Sequence, residues 1–78
     1  MKVLIVDDSV VFRSQIKAAL SEIKDLEIVG SAANGKIALA KMEQVPVDLL
    51  TLDVEMPEMD GIATLKELKK RGYKSKVI

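Results

Sequence analysis

The chain contains no cysteine, no histidine and no tryptophan, and its aromatic residues are one Phe and one Tyr. Without cysteine there is neither a disulfide nor thiol chemistry. Without histidine these residues hold no Ser-His-Asp or Cys-His catalytic set, and most kinds of zinc site are excluded as well. With so few aromatics, any core must be aliphatic. Net charge is also missing: 12 Lys and Arg balance 12 Asp and Glu. That balance gives no support for nucleic acid or an anionic membrane surface as a partner. Long hydrophobic runs are absent too. The opening run from Val3 to Val6 is too short for a signal peptide and meets two acids at once. No segment approaches the length that spans a bilayer. A soluble, cytoplasmic protein is expected.

What is present fits one domain at most, with 78 residues, 49% of them hydrophobic. Lys2-Val3-Leu4-Ile5-Val6 reads as a buried parallel strand. Ser9 or Asp8 can cap a helix over about 10–23, with Phe12, Ile16, Ala19, Leu20 and Ile23 on one stripe and Arg13 off it. A second strand is expected over Leu26 to Gly30, and its alternation places it at a sheet edge. Asn34-Gly35 opens a second helix to Gln44, with Ile37, Ala38 and Met42 apolar. The run Asp48 to Asp53 reads as the central strand. A third helix, about 62–70, presents Ile62, Leu65 and Leu68 and stops at Gly72. Lys76-Val77-Ile78 resembles the first residues of a fourth strand. Strand and helix alternate strictly, so the expected class is α/β, a parallel sheet with right-handed crossovers.

In open parallel sheets, chemistry sits outside the carboxyl ends of the strands. The first strand ends in Asp7-Asp8 and the third in Asp53, so these carboxylates should meet at one end of the sheet. Like charges about 4 Å apart repel by roughly 4 kcal/mol at an effective dielectric near 20. Three carboxylates in one pocket therefore need a cation, or one of them protonates. Ligands that are all oxygen suit a hard ion, and a few carboxylates plus water suit Mg²⁺. A strand-end carboxylate beside such an ion can attack phosphorus and form an acyl phosphate.

Asp7-Asp8-Ser9, the strand Asp48 to Asp53, and Met56-Pro57-Glu58-Met59-Asp60-Gly61 together resemble the receiver domain of two-component response regulators. Leu50-Thr51-Leu52-Asp53-Val54-Glu55-Met56-Pro57 is also similar to the regulatory domain of the chemotaxis protein-glutamate methylesterases. The resemblance implies a flavodoxin-like fold with strand order 2-1-3-4-5. It implies that Asp53 accepts a phosphoryl group from a histidine kinase. It implies that Asp8, Asp53 and the backbone carbonyl of Glu55 bind Mg²⁺, with Asp7 assisting through water, and that Pro57 and Gly61 shape the adjoining loop. The later Thr or Ser and the Lys of a full receiver would fall beyond Ile78, as would a methylesterase catalytic domain. On this reading residues 1–78 are a truncated receiver: three strand-helix units and the start of a fourth strand, not an enzyme. Phosphorylation should then be impaired, and the open sheet edge should pair with a second copy in a homodimer.

Plainer readings stand beside these. Asp7 and Asp8 can act as caps for the first helix. Asp60-Gly61 reads as a turn and helix cap, and Met42, Met56 and Met59 as packing or loop residues. Lys66, Lys69, Lys70 and Lys74 form a solvated face, and Lys76 sits at the wrong end of its strand to bind a phosphoryl group. An alternative function is an inactive half-fold that folds only as a homodimer. A flavodoxin-like cofactor binder is disfavoured, because the first strand-helix turn is acidic where a phosphate cradle needs glycine and backbone N–H groups.

Overall fold

The structure, a computed structural model, describes residues 1–53 and 59–78. Strands β1 (Lys2–Val6), β2 (Glu27–Ala32), β3 (Leu49–Leu52) and β4 (Lys76–Val77) alternate with helices α1 (Val10–Ser21), α2 (Gly35–Gln44) and α3 (Gly61–Lys70). All neighbouring strands are parallel, in the order β2-β1-β3-β4. Right-handed crossovers then fix the layers. The chain moves from β1 outward to β2, then back past β1 to β3 and on to β4. The reversal puts α1 on one face of the sheet and α2 with α3 on the other.

The core lies on the face covered by α2 and α3. Leu4, Val6, Ala32 and Leu50 pack there against Ala38, Leu39, Met42 and Leu68. Val3 and Ile5 alternate with these residues and so face α1, and both are fully buried. The edge position expected for the second strand is the one observed. That strand runs on to Ala32 because β1 keeps pairing with it through Val6↔Ala32, past an irregularity at Val3/Leu4.

The helix ends follow local chemistry. Ser9, Asn34 and Asp60 are the N-caps, their side chains accepting from the backbone N–H of Phe12, Ile37 and Ala63. At the end of α3, Gly72 adopts φ +80, its N–H donates to Lys69 O and that of Tyr73 to Leu68 O. This pair of bonds is a Schellman stop, and Tyr73 packs on the core beside Leu68.

The helix faces match the expected stripes in part: Ala38, Met42 and Leu68 are buried as expected. Ile37 and Ile62 are exposed, and Leu65 is 37% exposed. The buried face of α3 is Gly61, Thr64 and Leu68, and that of α2 is Gly35, Ala38, Leu39 and Met42. At Gly35 and Thr64 the two helices approach too closely for a larger side chain on Gly35. Every residue of α1 keeps at least partial exposure, and Phe12 and Ile23 remain about half exposed, at 52% and 50%. Only Ile16 and Leu20 of the expected stripe are half-buried. This helix also ends at Ser21, two residues before the expected limit.

Candidate metal centre

Strand register builds the site. Pairing of β1 with β3 runs from Val3↔Leu49 to Val6↔Leu52, so the next residues in line are Asp7 and Asp53. The Asp53 N–H continues the ladder by donating to Val6 O at 3.1 Å. Asp7 is tied on its other side, donating from its N–H to Ala32 O at 3.0 Å. One carboxylate oxygen from each of Asp7, Asp8 and Asp53 lies within 4.8 Å of the others. The three acids singled out from the sequence are thus brought together at the carboxyl ends of adjacent strands. Glu55, whose backbone carbonyl the resemblance made a ligand, lies outside the described residues, as do Met56 and Pro57.

The three acids differ in surroundings. Asp7 is 5% exposed, Asp53 is half-buried and Asp8 is exposed. Asp7 Oδ1 accepts the Ser9 N–H at 2.9 Å in an Asx-type turn, but the cap of α1 is Ser9, not Asp7 or Asp8 as the plainer reading expected. At about 4 Å a pair of carboxylates repels by about 1 kcal/mol in bulk water and about 4 at the effective dielectric near 20 of a protein surface. The donor set is made of oxygen atoms alone, and the exposed side at Asp8 leaves room for water. A small, hard cation that keeps part of its hydration shell fits that arrangement.

Beside the acids, a cleft of about 250 Å³ opens between α1 and the sheet, lined by Asp7, Asp53, Phe12, Ile16, Thr51 and Ile78. Lys76 is paired with Leu49, at the opposite end of β3 from Asp53, as its sequence position required. Lys66, Lys69, Lys70 and Lys74 are exposed. Asp60 caps α3, and Met42 and Met59 pack in or against the core, as expected.

One neighbour of the site escaped sequence reading. Arg13, placed off the apolar stripe of α1, turns back and donates from Nη1 to the Asp7 carbonyl oxygen at 2.6 Å. Its helical position, one turn beyond the Ser9 cap, is the only signal the sequence offers for such a contact.

Comparison with known proteins places this geometry. The profile of the response regulator receiver domain matches residues 3–78. The chain belongs to that family. Among curated relatives, this receiver chain is 56% identical over 68 residues to a protein-glutamate methylesterase/protein-glutamine glutaminase of Trichodesmium erythraeum, covering 87% of the chain and 19% of that protein. It is 47% identical over 78 residues to the corresponding protein of a Nocardioides species, covering 100% of the chain and 21% of the relative. Among solved structures, the response regulator domain of Thermotoga maritima CheB superposes with a TM-score of 0.91 at 35% identity, covering 99% of this chain and 57% of that one. CheY in its complex with CheX, BeF3 and Mg from Borrelia burgdorferi matches with a TM-score of 0.90 at 34% identity, covering 99% and 58%. The receiver chain thus spans about a fifth of the length of these curated relatives. The fold is the parallel α/β receiver fold, and the named likenesses include chemotaxis CheB. Among the described residues no helix is long and apolar enough to cross a membrane.

Proposed function

We propose that this receiver chain is a phosphoacceptor module of a chemotaxis two-component system, taking a phosphoryl group from a histidine kinase onto Asp53 with Mg²⁺ bound by Asp7, Asp8 and Asp53. The observation that carries this reading is the convergence of those three carboxylates at the ends of β1 and β3. The Borrelia relative, whose complex holds Mg and a BeF3 group, supports it by analogy. When bound, the ion supplies charge neutralisation for the acids and the phosphoryl oxygens. The residues do the rest. The ladder bond from Asp53 N–H to Val6 O fixes the root of the Asp53 side chain. A carboxylate oxygen of Asp53 forms a bond to phosphorus as the bond to the donor's imidazole nitrogen breaks. The product is an acyl phosphate, and catalysis rests on positioning and charge neutralisation. The esterase activity named for the relatives is not assigned to these 78 residues, which align with about a fifth of each. A cytoplasmic setting goes with this role.

Incubation with acetyl phosphate and Mg²⁺, followed by intact-mass measurement, tests the reading. One phosphoryl adduct is expected, formed slowly, absent with chelator and absent in Asp53→Asn. No adduct in the wild-type chain, or an adduct that survives Asp53→Asn, would overturn it.

A second proposal concerns assembly: two copies of this chain join through the outer edge of β4. That edge has no strand beside it among the described residues, and Ile78, next to it, is 75% exposed. An unpaired strand edge flanked by apolar surface favours such pairing.

A further inference from the structure

We infer that Arg13 is a positioning residue of the acidic cluster, setting the direction of the Asp8 carboxylate through the Asp7–Asp8 peptide group. The inference rests on the reading of the cluster as a cation site. Asp7 is held at three points: its N–H by Ala32 O, its Oδ1 by the Ser9 N–H, and its carbonyl by Arg13 Nη1 at 2.6 Å. The first two bonds hold the residue and its side chain. Only the third acts on the peptide group that leads to Asp8. That carbonyl lies just past the last rung of the ladder, where β1 has stopped pairing and α1 has not begun. Because a peptide group is planar, the orientation of its carbonyl fixes the place of the Asp8 N and Cα from which the carboxylate projects. Asp8 itself is exposed, and among the described residues its carboxylate has no hydrogen-bond partner. Its aim therefore depends on the main chain beneath it.

Arginine suits this task. The guanidinium keeps its charge at every relevant pH, and its rigid fork loses little freedom on bonding. Arg13 is itself anchored, since its N–H donates to Ser9 O at 2.9 Å and its side chain is half-buried. Positioning and simple charge predict opposite outcomes when this residue is removed. A nearby positive charge opposes a divalent cation, so if Arg13 acted by charge alone its loss would tighten cation binding. If it holds Asp8 in place, its loss weakens binding.

Mg²⁺ titration by calorimetry, with Mn²⁺ electron paramagnetic resonance as a second probe, decides between them. Arg13→Met keeps the aliphatic stem and removes the donor, and Arg13→Ala serves in its place should the Met variant not fold. Binding about tenfold weaker than wild type, with unchanged circular dichroism, is expected for either. Arg13→Lys, which keeps a donor and the charge, should recover to within about threefold of wild type. Equal or tighter binding after removal of the donor overturns the positioning role while leaving the cation site intact. A wild-type chain that binds neither Mg²⁺ nor Mn²⁺ overturns the cation reading, and this inference falls with it.

Discussion

Gly35 of α2 lies directly against Thr64 of α3, with no room for a side chain between them. A Cβ on Gly35 would overlap Thr64 Oγ1 and approach Thr64 Cβ to 2.9 Å and the Met59 carbonyl oxygen to 3.1 Å. The contact is braced on both sides: the Gly35 N–H donates to Met59 O at 3.2 Å, and Thr64 Oγ1 donates to Asp60 O at 2.7 Å. It joins the start of α2 to the segment that leaves the acidic site for α3, and it is the reason α3 buries Thr64 in place of Ile62.

Gly35→Ala should therefore destabilise the chain. In an open helix the change would gain about 1 kcal/mol. Overpacking costs about 1–3 kcal/mol, and the upper end applies because a main-chain carbonyl cannot step aside as a flexible side chain can. The expected net loss is about 2 kcal/mol, measured by chemical denaturation. Adding Thr64→Ala should recover part of it, since the Oγ1 overlap goes while the Met59 carbonyl stays. Unchanged or raised stability of Gly35→Ala would contradict the packing described for this crossing.

Asp8→Asn should reverse its effect on stability with the ionic condition. In chelator the substitution removes repulsion from Asp7 and Asp53, about 1 kcal/mol for each pair because Asp8 is exposed to water. It also removes a negative charge near the start of α1, a loss of about 0.3–1 kcal/mol. Repulsion is the larger, so the variant should melt above wild type. With Mg²⁺ at a hundred times its dissociation constant, wild type gains about 2.7 kcal/mol by linkage and the variant little. The order of melting temperatures should then invert. Parallel shifts in both conditions would count against a shared ion.

Val77→Pro should separate assembly from folding. Lys76 and Ile78 donate their N–H groups to Asp48 O and Leu50 O of the β3 side, so the Val77 N–H points to the open edge. Of the backbone bonds, proline at this position spares those to β3 and removes only the outward donor, with some loss of the Val77 side chain's packing on the core. Sedimentation equilibrium at micromolar concentration should show a dimer for wild type and a monomer for the variant. A monomeric wild type, or a variant that still pairs, would remove the edge-to-edge proposal.

Much of this molecule can be read from local chemistry. Ser9, Asn34 and Asp60 are caps because a short polar side chain ahead of an apolar stretch satisfies free N–H groups wherever the helix later packs. Gly72 stops α3 because glycine takes positive φ without strain. The helix faces were less legible. Periodicity locates apolar residues, but Ile37, Ile62, Phe12 and Ile23 are apolar and still exposed, since which part of a stripe is covered depends on what lies opposite. Gly35 and Thr64 carried no apolar signal at all, although they meet too closely to admit a Cβ between them.

The amino-acid order alone determined that each of two strands ends in acid and that strand and helix alternate, because those properties depend on near neighbours along the chain. Only the tertiary structure decided that β1 and β3 pair in the register Val6↔Leu52, which sets Asp7 beside Asp53 and leaves Asp8 within reach. Register and the return of Arg13 to the Asp7 carbonyl both arise from packing through space. No residue encodes such contacts by its type, and a slip of one position along β3 would have turned its side chains to the opposite face of the sheet.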